Sequence, residues 1–82
     1  MTPQQATEIV QDALLQIAPE ADLAALAPDT DFRDALELDS LDFLSYVEVL
    51  SETGGVRVDE DDYPKVSTIA GAAAFIAAAG PR

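Results

Sequence analysis

The sequence predicts an all-α fold, a small four-helix bundle in which one helix is much shorter than the others. Apolar residues recur at steps of three and four in three segments, which is the spacing of one helix face, and no segment alternates convincingly as a strand would. The chain has 82 residues, of which 49% are hydrophobic, so residues 1–82 have room for one domain with a modest core.

The first helix is predicted over about residues 3–18. Thr2 is placed to cap it, Pro3 stands at the first helical position, and Gln5 completes a capping box. Pro19 ends the helix. The apolar stripe that should face the core consists of Ala6, Ile9, Val10, Ala13, Leu14 and Ile17.

A long loop is predicted over residues 19–39, because the helical periodicity fails there. The second helix follows over about 40–53. Asp39 is placed to cap it, and both Asp39 and Asp42 favour the positive end of the helix dipole. The Gly54-Gly55 pair ends it. Its predicted core stripe is Phe43, Tyr46, Val47 and Leu50.

The third helix is predicted to be a single short turn over about residues 59–63, because Pro64 interrupts it. The last helix is predicted over about 68–79, with Ser67 or Thr68 as its cap. Its core positions at helical spacing are Ile69, Ala72, Ala73 and Ile76.

The net charge of −12 indicates which partners the chain can meet. A surface of this sign repels nucleic acids and anionic membranes and attracts basic patches on other proteins. The chain has no cysteine, no secretion signal at its start and no apolar stretch long enough to span a bilayer. We therefore expect a cytoplasmic monomer whose partners are proteins.

The residue inventory argues against catalysis, because the chain contains neither histidine nor cysteine and so lacks the usual base and thiol nucleophile. The acidic runs that begin at Asp29 and Asp59 also fail the calcium-loop pattern, which needs glycine at position six and glutamate at position twelve. We expect neither an enzyme nor a dedicated metal site.

Ser40 is the polar residue with the clearest chemical potential. It can simply help to cap the second helix, but an anionic group attached to it would also lie at a helix N-terminus, which favours negative charge. Leu41, Leu44 and Glu48 lie on the outward face of the same helix. Exposed leucines beside acids favour a docking surface for another protein.

Four segments in order resemble the acyl carrier protein family over nearly the whole chain: residues 28–32, 38–42, 56–58 and 66–69. The resemblance implies an acyl-carrier type of helical bundle. It also implies that Ser40 carries 4′-phosphopantetheine, added from coenzyme A by a phosphopantetheinyl transferase. The thiol of that arm would hold acyl or aminoacyl cargo as a thioester.

The resemblance further implies a recognition helix that meets basic patches on the transferase, on the ligase that loads the cargo, and on downstream enzymes. In this sequence the matching residues are Asp39, Leu41, Asp42, Leu44 and Glu48.

The chain also departs from the carriers of bulk fatty-acid synthesis. Glu37 replaces the glycine that usually stands two residues before the aspartate of the motif, and the step around Tyr63 is unlike their third helix. Phe43 and Tyr46 are bulkier than the residues that those carriers place against an acyl chain. These differences favour a specialised stand-alone acyl or aminoacyl carrier, in fatty-acid or secondary-metabolite biosynthesis.

Charge alone supports an alternative, an unmodified acidic interaction module or inhibitor that binds a basic protein surface. In that case binding would not depend on the Ser40 hydroxyl, whereas a carrier would lose its function without it.

Overall fold

A computed structural model describes residues 2–79, and within that range all regular structure is helical. The predicted all-α bundle is therefore confirmed. In chain order the elements are helix α1 (Pro3–Ile17), a 3₁₀ turn (Leu23–Ala25), helix α2 (Phe32–Ala35), helix α3 (Ser40–Gly54), a 3₁₀ helix (Glu60–Val66) and helix α4 (Ile69–Ala79).

Helix α1 begins with the predicted capping box. The Thr2 hydroxyl accepts the Gln5 N–H at 3.1 Å, and the Gln5 side-chain oxygen accepts the Thr2 N–H at 2.9 Å. Two of the unpaired N–H groups at the helix start are thereby satisfied. The stripe of α1 packs against α3 and α4 through Ala6, Val10, Ala13 and Leu14, all of which are fully buried.

Helix α4 packs against α1 with an inward face of two alanines and two isoleucines. The Thr68 hydroxyl accepts the Gly71 N–H at 2.9 Å, so of the two predicted caps it is Thr68 that acts. A Cβ at Gly71 would lie 2.5 Å from the Lys65 carbonyl oxygen, which explains glycine at this position. All four predicted core residues of this helix are buried: Ile69, Ala72, Ala73 and Ile76.

The predicted loop over 19–39 was wrong in part, because it contains the 3₁₀ turn and helix α2. Asp31 caps α2 by accepting the Arg33 N–H at 2.9 Å, and Phe32 is fully buried. The Phe32 N–H donates to the Ser67 carbonyl at 3.0 Å, which ties the segment to the start of α4. A four-residue helix is too short to show a periodic apolar pattern.

The third helix is longer than predicted, because it continues through Pro64 to Val66 as a 3₁₀ helix. Its last carbonyls are satisfied by side chains outside it. The Ser67 hydroxyl donates to the Tyr63 carbonyl at 2.8 Å, and the Tyr46 phenol donates to the Val66 carbonyl at 2.9 Å. The last carbonyls of a helix have no backbone donor within that helix, and these two side-chain hydrogen bonds satisfy two of them.

Tyr46 lies at the centre of the core. Its ring contacts Phe32 edge-on at 5.1 Å between centroids and lies 5.6 Å from Phe43. Burial raises the pKa of the Tyr46 phenol well above its usual value, so the ring stays neutral and keeps its proton for the Val66 carbonyl. Between residues 2 and 79, no helix is both long and apolar enough to span a membrane.

We expect Tyr46→Phe to lower the free energy of unfolding by roughly 1 to 2 kcal/mol, because it leaves the Val66 carbonyl without its buried donor. Urea unfolding would measure the loss. Tyr63→Phe is the matched control, since its hydroxyl has no hydrogen-bond partner among residues 2–79. Equal losses in the two variants would contradict the assigned role of the Tyr46 hydroxyl.

Candidate functional site

Ser40 is the first residue of α3, and it is exposed. The turn before it is fixed by a second capping box. The Asp39 carboxylate accepts the Asp42 N–H at 2.8 Å, and the Asp42 carboxylate accepts the Asp39 N–H at 3.4 Å. The Ser40 hydroxyl makes no hydrogen bond within the described part of the chain. It is therefore free to be modified.

Two electrostatic effects would act in opposite directions on an anion attached to Ser40. Helix α3 has 15 residues, and its dipole and unpaired N–H groups favour an anion at the N-terminus. The carboxylates of Asp39 and Asp42 lie on either side of Ser40 in the chain, and they would repel such an anion. An anion attached here would gain from a nearby cation.

The other three serines are poorer attachment points. Ser67 is buried, and its hydroxyl donates to a backbone carbonyl. Ser45 and Ser51 lie within α3, away from its N-terminus. Of the four serines in the sequence, Ser40 alone combines exposure with a helix start.

A shallow groove of about 400 Å³ opens beside Ser40. Its apolar part is formed by Phe43 and Leu44 from α3 and Tyr63 from the 3₁₀ helix. The two aromatic rings meet edge-on at 5.3 Å between centroids. Sequence analysis missed that Arg33, Glu60 and Tyr63 share this groove. They come from separate elements, and no local spacing signals that these elements meet. The groove is lined by Arg33, Ser40, Phe43, Leu44, Glu60 and Tyr63.

Four of the five residues predicted to meet partners lie in or next to the first turns of α3, and Glu48 lies about two turns after Ser40. Leu41 is 74% exposed and Leu44 is 42% exposed, both high for leucine. Glu48 follows one turn after Leu44 on the same face and is exposed. The structure thus brings an exposed apolar pair and acids together beside Ser40.

The acidic side chains do not form a metal site within the described residues. No group of three or more carboxylates between residues 2 and 79 is placed to hold an ion. The acids at 59–62 are instead occupied in part by ion pairs, Asp59 with Arg57 at 2.9 Å and Asp62 with Lys65 at 3.4 Å. What the site offers chemically is an exposed hydroxyl beside a groove.

Glu37 has a left-handed backbone, with φ of 54°. It lies between α2 and α3, in a turn closed by a bond from the Leu38 N–H to the Arg33 carbonyl at 2.9 Å. A side chain in this conformation costs roughly 1 kcal/mol, which glycine would avoid. The replacement of glycine noted in the sequence therefore puts strain two residues before Asp39.

The sequence matches the model of a known protein family. The family model described as a phosphopantetheine attachment site matches residues 6–76, which covers all of α2 and α3 and most of α1 and α4. A search of curated proteins found no match.

We expect Glu37→Gly to raise the free energy of unfolding by roughly 0.5 to 1 kcal/mol, because the relief of left-handed strain exceeds the added freedom of the unfolded chain. Urea unfolding is the measurement. Glu37→Gln removes the same charge but keeps the Cβ atom, so it should give a smaller gain. If the two variants gained equally, charge and not strain would be the cause.

Proposed function

Because the chain belongs to the phosphopantetheine attachment-site family, we propose that Ser40 is the serine on which it carries its 4′-phosphopantetheine arm. Members of the family hold this arm covalently on a serine, so the chain is a phosphopantetheine carrier. The observation that supports Ser40 is its exposed position at the start of α3, beside a groove large enough to receive part of an arm.

In the proposed loading step, the Ser40 hydroxyl oxygen bonds to the phosphorus of coenzyme A that bears pantetheine. The pyrophosphate bond breaks, and adenosine 3′,5′-bisphosphate leaves. The chain has no histidine to take the hydroxyl proton, so a base of the transferase accepts it. We therefore regard the chain as the substrate of a separate transferase and not as a catalyst. The arm supplies a terminal thiol that holds cargo as a thioester.

We also propose that the face formed by Asp39, Leu41, Asp42, Leu44 and Glu48 presents the arm to partner enzymes. With a net charge of −12, the chain is attracted to basic patches on a transferase, a loading ligase and downstream enzymes. Leu41 and Leu44 add apolar contact at the centre of this face. Charge-steered, moderate contacts suit a carrier that must leave each enzyme in turn.

Our proposal for the cargo is a short acyl or an aminoacyl group held at the surface. Phe32, Phe43 and Tyr46 are fully packed between α2 and α3, where they fill space that a long buried chain would need. The groove beside Ser40 is open to solvent and carries both a cation and an anion, Arg33 and Glu60. Small or polar cargo fits this surface better than a long alkyl chain.

Incubation with coenzyme A and a broad-specificity phosphopantetheinyl transferase should add one arm to the wild type and none to Ser40→Ala, as measured by intact mass. Ser45→Ala is the matched control, an exposed serine on the same helix, and it should gain the arm like the wild type. An arm on Ser40→Ala would refute the assignment to Ser40. No gain on any variant would favour an unmodified acidic interaction module.

We expect thermal midpoints to be nearly the same for acetyl-, butyryl- and octanoyl-loaded protein. Each buried methylene would contribute about 0.8 kcal/mol, and about 1 kcal/mol moves the midpoint of a domain this size by roughly 4 to 8 °C. A buried octanoyl chain would therefore be conspicuous in a melting scan.

Tyr63→Ala supplies the positive control for this series, because it removes the ring that contacts Phe43 at the groove. Midpoints in that variant should begin to rise with chain length. A rise of similar size in the wild type would mean that long cargo is buried, against the proposed cargo class.

A further inference from the structure

Arg33 is a cation held in the groove beside Ser40. Its guanidinium carbon lies 4.6 Å from the centroid of the Phe43 ring, close enough for a cation–π contact. Phe43 follows Ser40 by three residues, so the two side chains share one face of α3 with Cβ atoms about 5 to 6 Å apart. Arg33 and Ser40 therefore line the same groove, and the guanidinium lies over a ring that is one turn along α3 from Ser40.

This arginine differs from the other cations of the described chain. Arg57 is paired with Asp59, and Lys65 with Asp62. Arg33 has no carboxylate within 4.0 Å among residues 2–79, although the sequence holds 16 acids. Its side chain is half-buried and lies against a ring instead of an anion. The N–H groups of this guanidinium donate no hydrogen bond among residues 2–79, so they are available to an acceptor in the groove.

We propose that the Arg33 guanidinium binds the phosphodiester of the arm on Ser40, an inference that rests on the proposed function. A planar guanidinium matches two phosphate oxygens at once. The need for it follows from the local charge, since a phosphodiester on Ser40 adds an anion beside Asp39 and Asp42. Arg33 is the cation among the residues that line the groove.

Binding at Arg33 would also give the arm a direction. With its phosphodiester drawn to Arg33, the arm leaves Ser40 across Phe43 and toward Tyr63 instead of straight into solvent. Glu60 lines the same groove, with its carboxylate more than 4.0 Å from the guanidinium, and as an anion it would compete with the phosphodiester for Arg33. Its replacement by Gln should therefore strengthen the contact between Arg33 and the phosphodiester.

The test compares ¹⁵N-labelled apo and arm-loaded full-length protein by NMR, with loading verified by intact mass. The Nε–H signal of Arg33 should shift when the arm is loaded. The ³¹P signal of the phosphodiester should differ between the loaded Arg33→Gln variant and the loaded wild type. Arg57 is the internal control, because it is paired with Asp59 outside the groove, and its Nε–H signal should stay in place.

A second readout is the thermal midpoint of loaded minus apo protein. We expect loading to raise the thermal midpoint of the wild type by about 4 °C, a size that a single charge-assisted contact can produce. The rise should disappear in Arg33→Gln, shrink in Arg33→Lys, grow in Glu60→Gln and persist in Arg57→Gln. Because each variant is compared with its own apo form, a general loss of stability cancels.

The outcomes separate the two proposals. A verified arm with no shift at Arg33, or with equal shifts at Arg33 and Arg57, overturns the Arg33 contact and leaves the carrier function standing. An equal midpoint rise in wild type and Arg33→Gln does the same. No mass gain on the wild type overturns both.

Discussion

The hydroxyl and ring of Tyr46 hold together the elements on which the site depends. The ring contacts Phe32 of α2 edge-on, and the phenol donates to the carbonyl of Val66 at the end of the 3₁₀ helix. One side chain from α3 therefore positions the two segments that form the groove beside Ser40. Because burial keeps the phenol neutral, its donor role does not change with pH in the neutral range.

The same aromatic core supports the positions proposed for the cargo and the arm. Phe32, Phe43 and Tyr46 fill the interior between α2 and α3, so the remaining space near Ser40 is a surface groove. A surface groove is wetter than a buried cavity and favours polar recognition over apolar burial. The Arg33 guanidinium lies over the Phe43 ring, so this ring contributes both to the core and to the placement of the cation.

Sequence patterns predicted the features that depend on neighbouring residues, namely the helix stripes and caps. They missed the features that depend on contacts between distant segments of the chain. The stripes and caps of α1, α3 and α4 follow from helical spacing and from side chains three residues apart, as at Asp39 and Asp42. Helix α2 and the extension of the 3₁₀ helix depend on bonds to distant residues, such as Phe32 to Ser67. The groove has the same origin, because Arg33 and Glu60 meet Ser40 only after folding.

The capping box has a consequence for recognition as well as for folding. The Asp39 carboxylate uses one oxygen for the Asp42 N–H, and the Asp42 carboxylate uses one for the Asp39 N–H. Each acid keeps its other oxygen for a partner and is already held in place. When a basic residue binds these oxygens, Asp39 and Asp42 lose little further side-chain freedom. The entropy lost on binding is therefore smaller. The capping box therefore also supports the partner face proposed around Ser40, because it holds Asp39 and Asp42 in place before a partner arrives.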